Sequence, residues 1–70
     1  MTEPFISNNG TQYWMKSGMY HRTDGPAIIY TYGAQSWFID DIKYYTPKAY
    51  QEAANLSDED MTAILLRYNF

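Results

Sequence analysis

The sequence predicts a small α+β domain. An antiparallel β-meander built from two copies of an about 23-residue unit is followed by two C-terminal α-helices that pack on the sheet. Three observations carry this. First, Ile6, Gly10, Gln12 and Trp14 recur twenty-three positions later as Ile29, Gly33, Gln35 and Trp37, with Thr23 matched by Thr46, Phe5 by Ile28 and Met15 by Phe38. Second, the chain up to Tyr45 consists of short apolar runs broken by Asn, Gly and Asp turn signals. Third, two helix-capping signatures follow at Thr46-Pro47 and Ser57-Asp58-Glu59-Asp60. A repeat of this length marks one supersecondary unit stacked on its copy, because neither buries its apolar face alone. The 70 residues divide as a first β repeat over 5–27, a second over 28–45 and a two-helix cap over 46–70, all in one domain.

Phe5-Ile6-Ser7 reads as a first short strand, ended by the turn residues Asn8-Asn9-Gly10. Gln12 to Lys16 is the second, with Tyr13 and Met15 alternating against Gln12, Trp14 and Lys16. Ser17-Gly18 turns the chain into a brief return strand, Met19 to His21. Thr23-Asp24-Gly25-Pro26 is the strongest break, since Asp-Gly favours a turn and Pro stops ladder pairing. Ala27 to Tyr32 is the most β-prone run and places Ile28, Tyr30 and Tyr32 on one face; Gly33 ends it. Ser36 to Ile39, an Asp40-Asp41 turn and Ile42 to Tyr45 complete four to six short strands.

Thr46 is an N-cap with Pro at the first helical position, so a helix runs from Pro47 to about Ala54 and stops at Asn55. Ser57 caps the second helix, three acids complement its positive end, and Leu56 staples to Met61. Met61, Ile64, Leu65 and Tyr68 then form a stripe at i, i+3, i+4 and i+7 that faces the sheet. The spacing does not place Asn69 and Phe70.

Composition bounds function more than it defines it. Without cysteine there is no disulfide and no thiolate metal site, a composition that fits a reducing cytosol. Thirteen aromatic residues (eight Tyr, three Phe, two Trp) compensate for the small size, each burying about 150–250 Å². The net charge of −3 and the scatter of Lys16, Arg22, Lys43, Lys48 and Arg67 disfavour direct nucleic-acid binding. Met1-Thr2-Glu3-Pro4 lacks the basic and apolar regions of a secretion signal. No run approaches the about 20 apolar residues of a membrane span. The expectation is a chain that acts in the cytoplasm.

The string His21-Arg22-Thr23-Asp24-Gly25-Pro26-Ala27 resembles the H-R-x-D-G-P-A repeat of small proteins from tailed bacteriophages and large DNA viruses. The resemblance covers about residues 10–45, with Gly10, Tyr13-Trp14 and Ser17-Gly18 as one unit and Gly33, Trp37-Phe38 and Asp40-Asp41 as the next. In the second copy Lys43-Tyr44-Tyr45-Thr46-Pro47 replaces the string, so the array ends there and the helices cap it. The resemblance implies a viral origin and the host cytoplasm as the place of action. That family has no single activity, so it implies no site residues.

His21, Arg22 and Asp24 are the nearest thing to a catalytic cluster. A general base needs a neighbouring nucleophile or a substrate cleft, and the string reads more simply as a turn with Asp24 as its cap and a local ion pair. One histidine and scattered carboxylates do not match metal-ligand spacing. No catalytic, cofactor-binding or metal-binding residue is therefore assigned. Trp14 and Trp37 are expected in the core. Two short helices cannot hide both faces of so aromatic a sheet, which leaves Tyr13, Tyr20, Tyr30, Tyr32 and Tyr44 as interface anchors, with Asp40 and Asp41 at the rim. The reading is a non-enzymatic module that binds and inhibits a host protein, as an anti-CRISPR, anti-nuclease or host-takeover protein does. A self-assembling, homodimeric viral protein is the alternative, and an acidic DNA mimic comes third.

Overall fold

The computed structural model describes residues 4–68. Met1–Glu3, part of the segment read above as no secretion signal, and Asn69–Phe70 lie outside them. The strands are β1 (Phe5–Ile6), β2 (Gln12–Tyr13), β3 (Met15–Lys16), β4 (Met19–Tyr20), β5 (Ile28–Ile29), β6 (Gln35–Ile39) and β7 (Ile42–Tyr44). Helices α1 (Pro47–Ala54) and α2 (Asp58–Arg67) follow. All pairings are antiparallel. One sheet has the order β1-β2-β5-β6-β7, and β3 pairs with β4 beside it.

The sequence repeat is a repeat of hydrogen bonds. In the first unit Phe5 pairs with Tyr13 and Ile6 with Gln12; in the second Ile28 pairs with Ser36 and Ile29 with Gln35. The loop between these strands is closed by Ser7 N–H to the Thr11 carbonyl and Gly10 N–H to the Ser7 carbonyl. Twenty-three positions on, Tyr30 donates to Ala34 and Gly33 to Tyr30. Gly10 and Gly33 both sit at positive φ, +91° and +93°, where a side chain is strained. The next hairpins also correspond, Met15↔Tyr20 and Lys16↔Met19 against Phe38↔Lys43 and Ile39↔Ile42. Both turn through two residues at positive φ, Ser17-Gly18 and Asp40-Asp41, as a tight two-residue turn between right-twisted strands demands.

The expected strands differ in extent from those that form. Gln12 to Lys16 is interrupted at Trp14, whose N–H donates to the Ala27 carbonyl at 2.7 Å while its carbonyl accepts from His21 N–H at 3.0 Å. This raises the strand number above the four to six expected. The run from Ala27 to Tyr32 pairs only at Ile28–Ile29; Tyr30 to Gly33 forms the loop, as Ser7 to Gly10 does in the first unit. Tyr30 and Tyr32 are therefore loop residues. His21 and Tyr45 fall outside their expected strands, as do Ser7 and Ala27.

The helices begin and end as their caps require. Thr46 Oγ accepts the Ala49 N–H, and Asn55 closes α1 in the left-handed region at φ 57°. Ser57 Oγ accepts the Asp60 N–H to open α2. Both pack on the sheet face that carries Trp37 and Ile39, forming a core with Tyr50, Met61 and Ile64, bordered by Tyr44, Ala54, Leu56 and Tyr68. Three residues of the expected stripe, Met61, Ile64 and Tyr68, face the core, and Leu65 does not. Met61 and Ile64 are buried and Tyr68 packs beside Trp37 from just beyond the helix end, with extended backbone, whereas Leu65 is 37% exposed. The largest fully buried side chain is Tyr50 of α1, packed edge-on against Trp37 with ring centroids 4.8 Å apart. Tyr50 is the only large apolar side chain in Pro47–Ala54, so a helix docked there has little else to bury.

Candidate functional site

The string from His21 to Ala27 is an excursion from the sheet. The chain leaves the Trp14 carbonyl at His21 and returns to the Trp14 N–H at Ala27, so the five residues between need partners outside that junction; Arg22 N–H finds one in the Phe38 carbonyl at 3.1 Å. Arg22 organises them. Its guanidinium lies 3.8 Å from the centroid of the Trp14 ring and 5.2 Å from that of Tyr68. Arg22 Nε donates to Asp24 Oδ1 at 2.8 Å, Nη1 to the Pro26 carbonyl at 3.1 Å and Nη2 to the Tyr68 hydroxyl at 3.1 Å. The Tyr50 hydroxyl lies 2.6 Å from the Arg22 carbonyl and 3.0 Å from the Gly25 carbonyl, sharing one proton between them, and accepts Gly25 N–H at 3.3 Å. Burial pushes the Tyr50 hydroxyl up to about 12, against the lowering effect of the Gly25 hydrogen bond. A Cβ on Gly25 would lie 2.9 Å from Arg22 Cζ and from Tyr68 Cε2. Pro26 and Ala27 are buried.

His21 reaches into the other repeat. Its Nδ1 lies 3.0 Å from Asp40 Oδ1 and 3.3 Å from the Asp40 amide nitrogen. One ring nitrogen serves both, donating to the carboxylate when protonated and accepting the amide when not. Asp41 Oδ1 accepts the Tyr20 N–H at 2.6 Å, and Asp41 N–H donates to the Tyr20 carbonyl at 2.9 Å. Asp40 and Asp41, expected at a binding rim, thus tie the second repeat's turn to the first repeat while their side chains remain exposed. His21, Arg22 and Asp24 each engage groups of this chain. Among the described residues no group of three or more His, Cys, Asp and Glu could hold a metal ion.

The tyrosines distribute over two places. Cross-strand partners share a face, so Phe5, Tyr13, Ile28 and Ser36 lie together on the side away from the helices, joined by Phe38 two residues beyond Ser36. A ladder of rings crosses this side. Phe5 and Tyr13 are 6.3 Å apart, Tyr13 and Tyr20 stack at 5.9 Å, and Tyr20 and Phe38 meet at 5.2 Å. Phe5 is 66% exposed and Met15, the cross-strand partner of Tyr20, 40% exposed; Tyr13, Tyr20 and Phe38 are half-buried. Tyr30 and Tyr32 form a separate stack at 5.4 Å, with Tyr32 exposed on its loop. Tyr44 belongs to the other side, where it borders the core and meets Tyr50 edge-on. Phe5, Met15 and Phe38 are members of the ring-bearing face that the sequence reading did not nominate; strand alternation combined with the repeat register would have found them.

Among the described residues no helix is long and apolar enough to cross a membrane. Compared with family models, with curated proteins and with solved structures, the chain matches none.

Proposed function

We propose that this protein is a non-enzymatic binding module that recognises a partner protein through the helix-free face of its sheet. The observation that carries the reading is the unbroken ring ladder Phe5–Tyr13–Tyr20–Phe38 with Met15 beside it. Preorganised rings lose little conformational freedom on binding, and aromatic residues and Met are enriched where interfaces carry their energy. The H-R-x-D-G-P-A resemblance adds a viral origin, so the partner is a host protein or complex that the module holds inactive, as counter-defence or host takeover requires. The engagement of His21, Arg22 and Asp24 within the fold supports a binding role over a catalytic one.

Affinity purification from host lysate tests this with three baits: the native chain, Phe5→Ala with Tyr20→Ala, and the remote Leu66→Ala. The expected result is one partner at stoichiometric level with the native and Leu66 baits, and at least a tenfold loss with the ladder variant, equivalent to about 1.4 kcal/mol. Equal recovery on all three baits, or no partner on any, defeats the proposal.

A further inference from the structure

The internal repeat shows how one unit joins the next, and the same junction stands open at both ends of the array. Between the units, β5 adds to the outer edge of β2 with Gln12 opposite Ile29 and Tyr13 opposite Ile28. In the first hairpin Phe5↔Tyr13 is the hydrogen-bonded pair, in phase with the Ser7–Thr11 bond, so Ile6 and Gln12 direct their backbone groups outward. Gln12 uses them on Ile29. Among the described residues Ile6 has no strand beyond it, because β1 ends the sheet. In the second hairpin Ile28↔Ser36 is in phase with the Tyr30–Ala34 bond, so Gln35 likewise directs its N–H and carbonyl away from β5. Strand β7 pairs with β6 only from Trp37 onward, and the chain then departs into α1 instead of returning. Among the described residues no strand lies against Gln35–Ser36 on that side. A cleft of about 150 Å³ opens there, lined by Gln35, Ser36, Trp37, Lys43, Tyr44 and Tyr45. The buried Gln35 Oε1 has no hydrogen-bond partner among the described residues.

The two open edges are complementary because they are copies of the closed one. Ile6 and Gln35 are the same residue types as Ile29 and Gln12, the pair that joins the repeats. Phe5 and Ile6 are exposed, 66% and 62%, where Ile28 is buried and Ile29 half-buried. Pro4 occupies the place of Ala27, which contributes its carbonyl to Trp14, so the missing proline N–H costs no bond at this junction. We infer that the chain self-associates head to tail, the β1 edge of one copy entering the cleft beside β6 of the next with Ile6 opposite Gln35 and Phe5 opposite Ser36. The occupant is a second copy because the junction already exists within one chain. The contact is heterologous, so it builds a ring if its rotation closes and an open filament if it does not. Phe5 belongs both to this edge and to the ring-bearing face, but the tests read self-association rather than recovery of a partner, so the inference stands or falls separately from recognition through that face.

Cysteine pairing tests the register, because the native chain has no cysteine. Within one chain Phe5 and Ser36 are three strands apart, about 14 Å, beyond the about 7 Å that a disulfide spans. Mild oxidation of an equimolar mixture of Phe5→Cys and Ser36→Cys chains is expected to give a mixed disulfide dimer, at a rate at least tenfold above the dimer from either chain alone. Sedimentation of the native chain is expected to show mass rising with concentration. An Ile6→Pro variant and a Gln35→Pro variant should each remain monomeric yet form a one-to-one heterodimer when mixed, since each retains one good edge. Three results would overturn the inference: mixed dimer no faster than homodimer, a native chain that stays monomeric across the series, or Phe5→Cys dimerising alone as fast as in the mixture, which is the mark of a two-fold β1–β1 contact. The cysteine and native-chain measurements decide the matter even if the proline variants fail to fold.

Discussion

Trp14 and Trp37 stand at the same place in two copies of one unit, and they are buried by different means. Trp37 is enclosed by hydrocarbon and rings, with Tyr50 edge-on at 4.8 Å and Tyr68 edge-on at 6.3 Å, beside Met61 and Ile64. Trp14 is covered by a cation, the Arg22 guanidinium, 3.8 Å from the ring centroid. The difference follows from what comes after each hairpin. Behind the first unit the chain makes a five-residue excursion and returns; behind the second it becomes α1 and does not. A repeated backbone therefore does not impose a repeated lid. The lid comes from the segment where the copies diverge, His21 to Ala27 against Tyr44 to Tyr50.

The largest effect should separate the two tryptophans. Trp37→Ala removes the centre of the helix-packed core and is expected to cost about 3–5 kcal/mol, enough to unfold a domain of this size. Trp14→Ala should cost less, because Arg22 keeps its bonds to Asp24, Pro26 and Tyr68 when the ring is gone. Urea unfolding followed by far-ultraviolet circular dichroism measures both, and equal losses would dissolve the distinction drawn here.

Alkaline titration sharpens the same comparison from the helix side. Tyr50 holds its proton more tightly when folded, so the native state binds more protons than the unfolded state between pH 10 and about 12. Stability is then complete below pH 10 and falls as pH rises through that window, by up to about 3 kcal/mol. Tyr50→Phe should lower stability at neutral pH, because the Gly25 N–H and two carbonyls lose their partner, and should remove this hydroxyl's share of the alkaline loss. An unchanged alkaline slope in that variant would refute the assignment.

The smallest effect tests the excursion alone. Gly25→Ala sets a methyl group against Arg22 and Tyr68, two side chains already committed to each other, and should cost about 1–3 kcal/mol by overpacking. A thermal midpoint equal to that of the native chain would show that the Arg22 clasp yields without penalty.

Much of this was legible in the residues. The repeat could be read because hairpin geometry is local: Gly10 and Gly33 hold a positive φ that few residues tolerate, and the loop bonds follow within five residues. Helix ends were legible for the same reason, since Thr46, Asn55 and Ser57 act on backbone groups one turn away. The overlong reading of Ala27 to Tyr32 shows where local propensity misleads. Tyr30 and Tyr32 favour strands, but their place in the repeat makes them loop, and the better guide was Ser7 to Gly10. Leu65 was misjudged because a helical stripe specifies a face without stating how much of it the neighbour covers.

By itself, then, the order of residues determined the unit, its copy number and the helical ending, all set by contacts within a few residues. It could not decide that His21 would reach Asp40 and Arg22 reach Trp14 and Tyr68, nor that Tyr50 would fill the core. Those partners lie between eight and forty-six positions apart, and all but Arg22 and Trp14 meet only when the second unit or the helices have docked. Nor could it place Phe5, Tyr13, Tyr20 and Phe38 in one line, which required the strand order β1-β2-β5-β6 with the β3–β4 hairpin alongside. Distant pairing is decided by the free energy of the assembled whole, to which each residue contributes only after others have closed the loops between them.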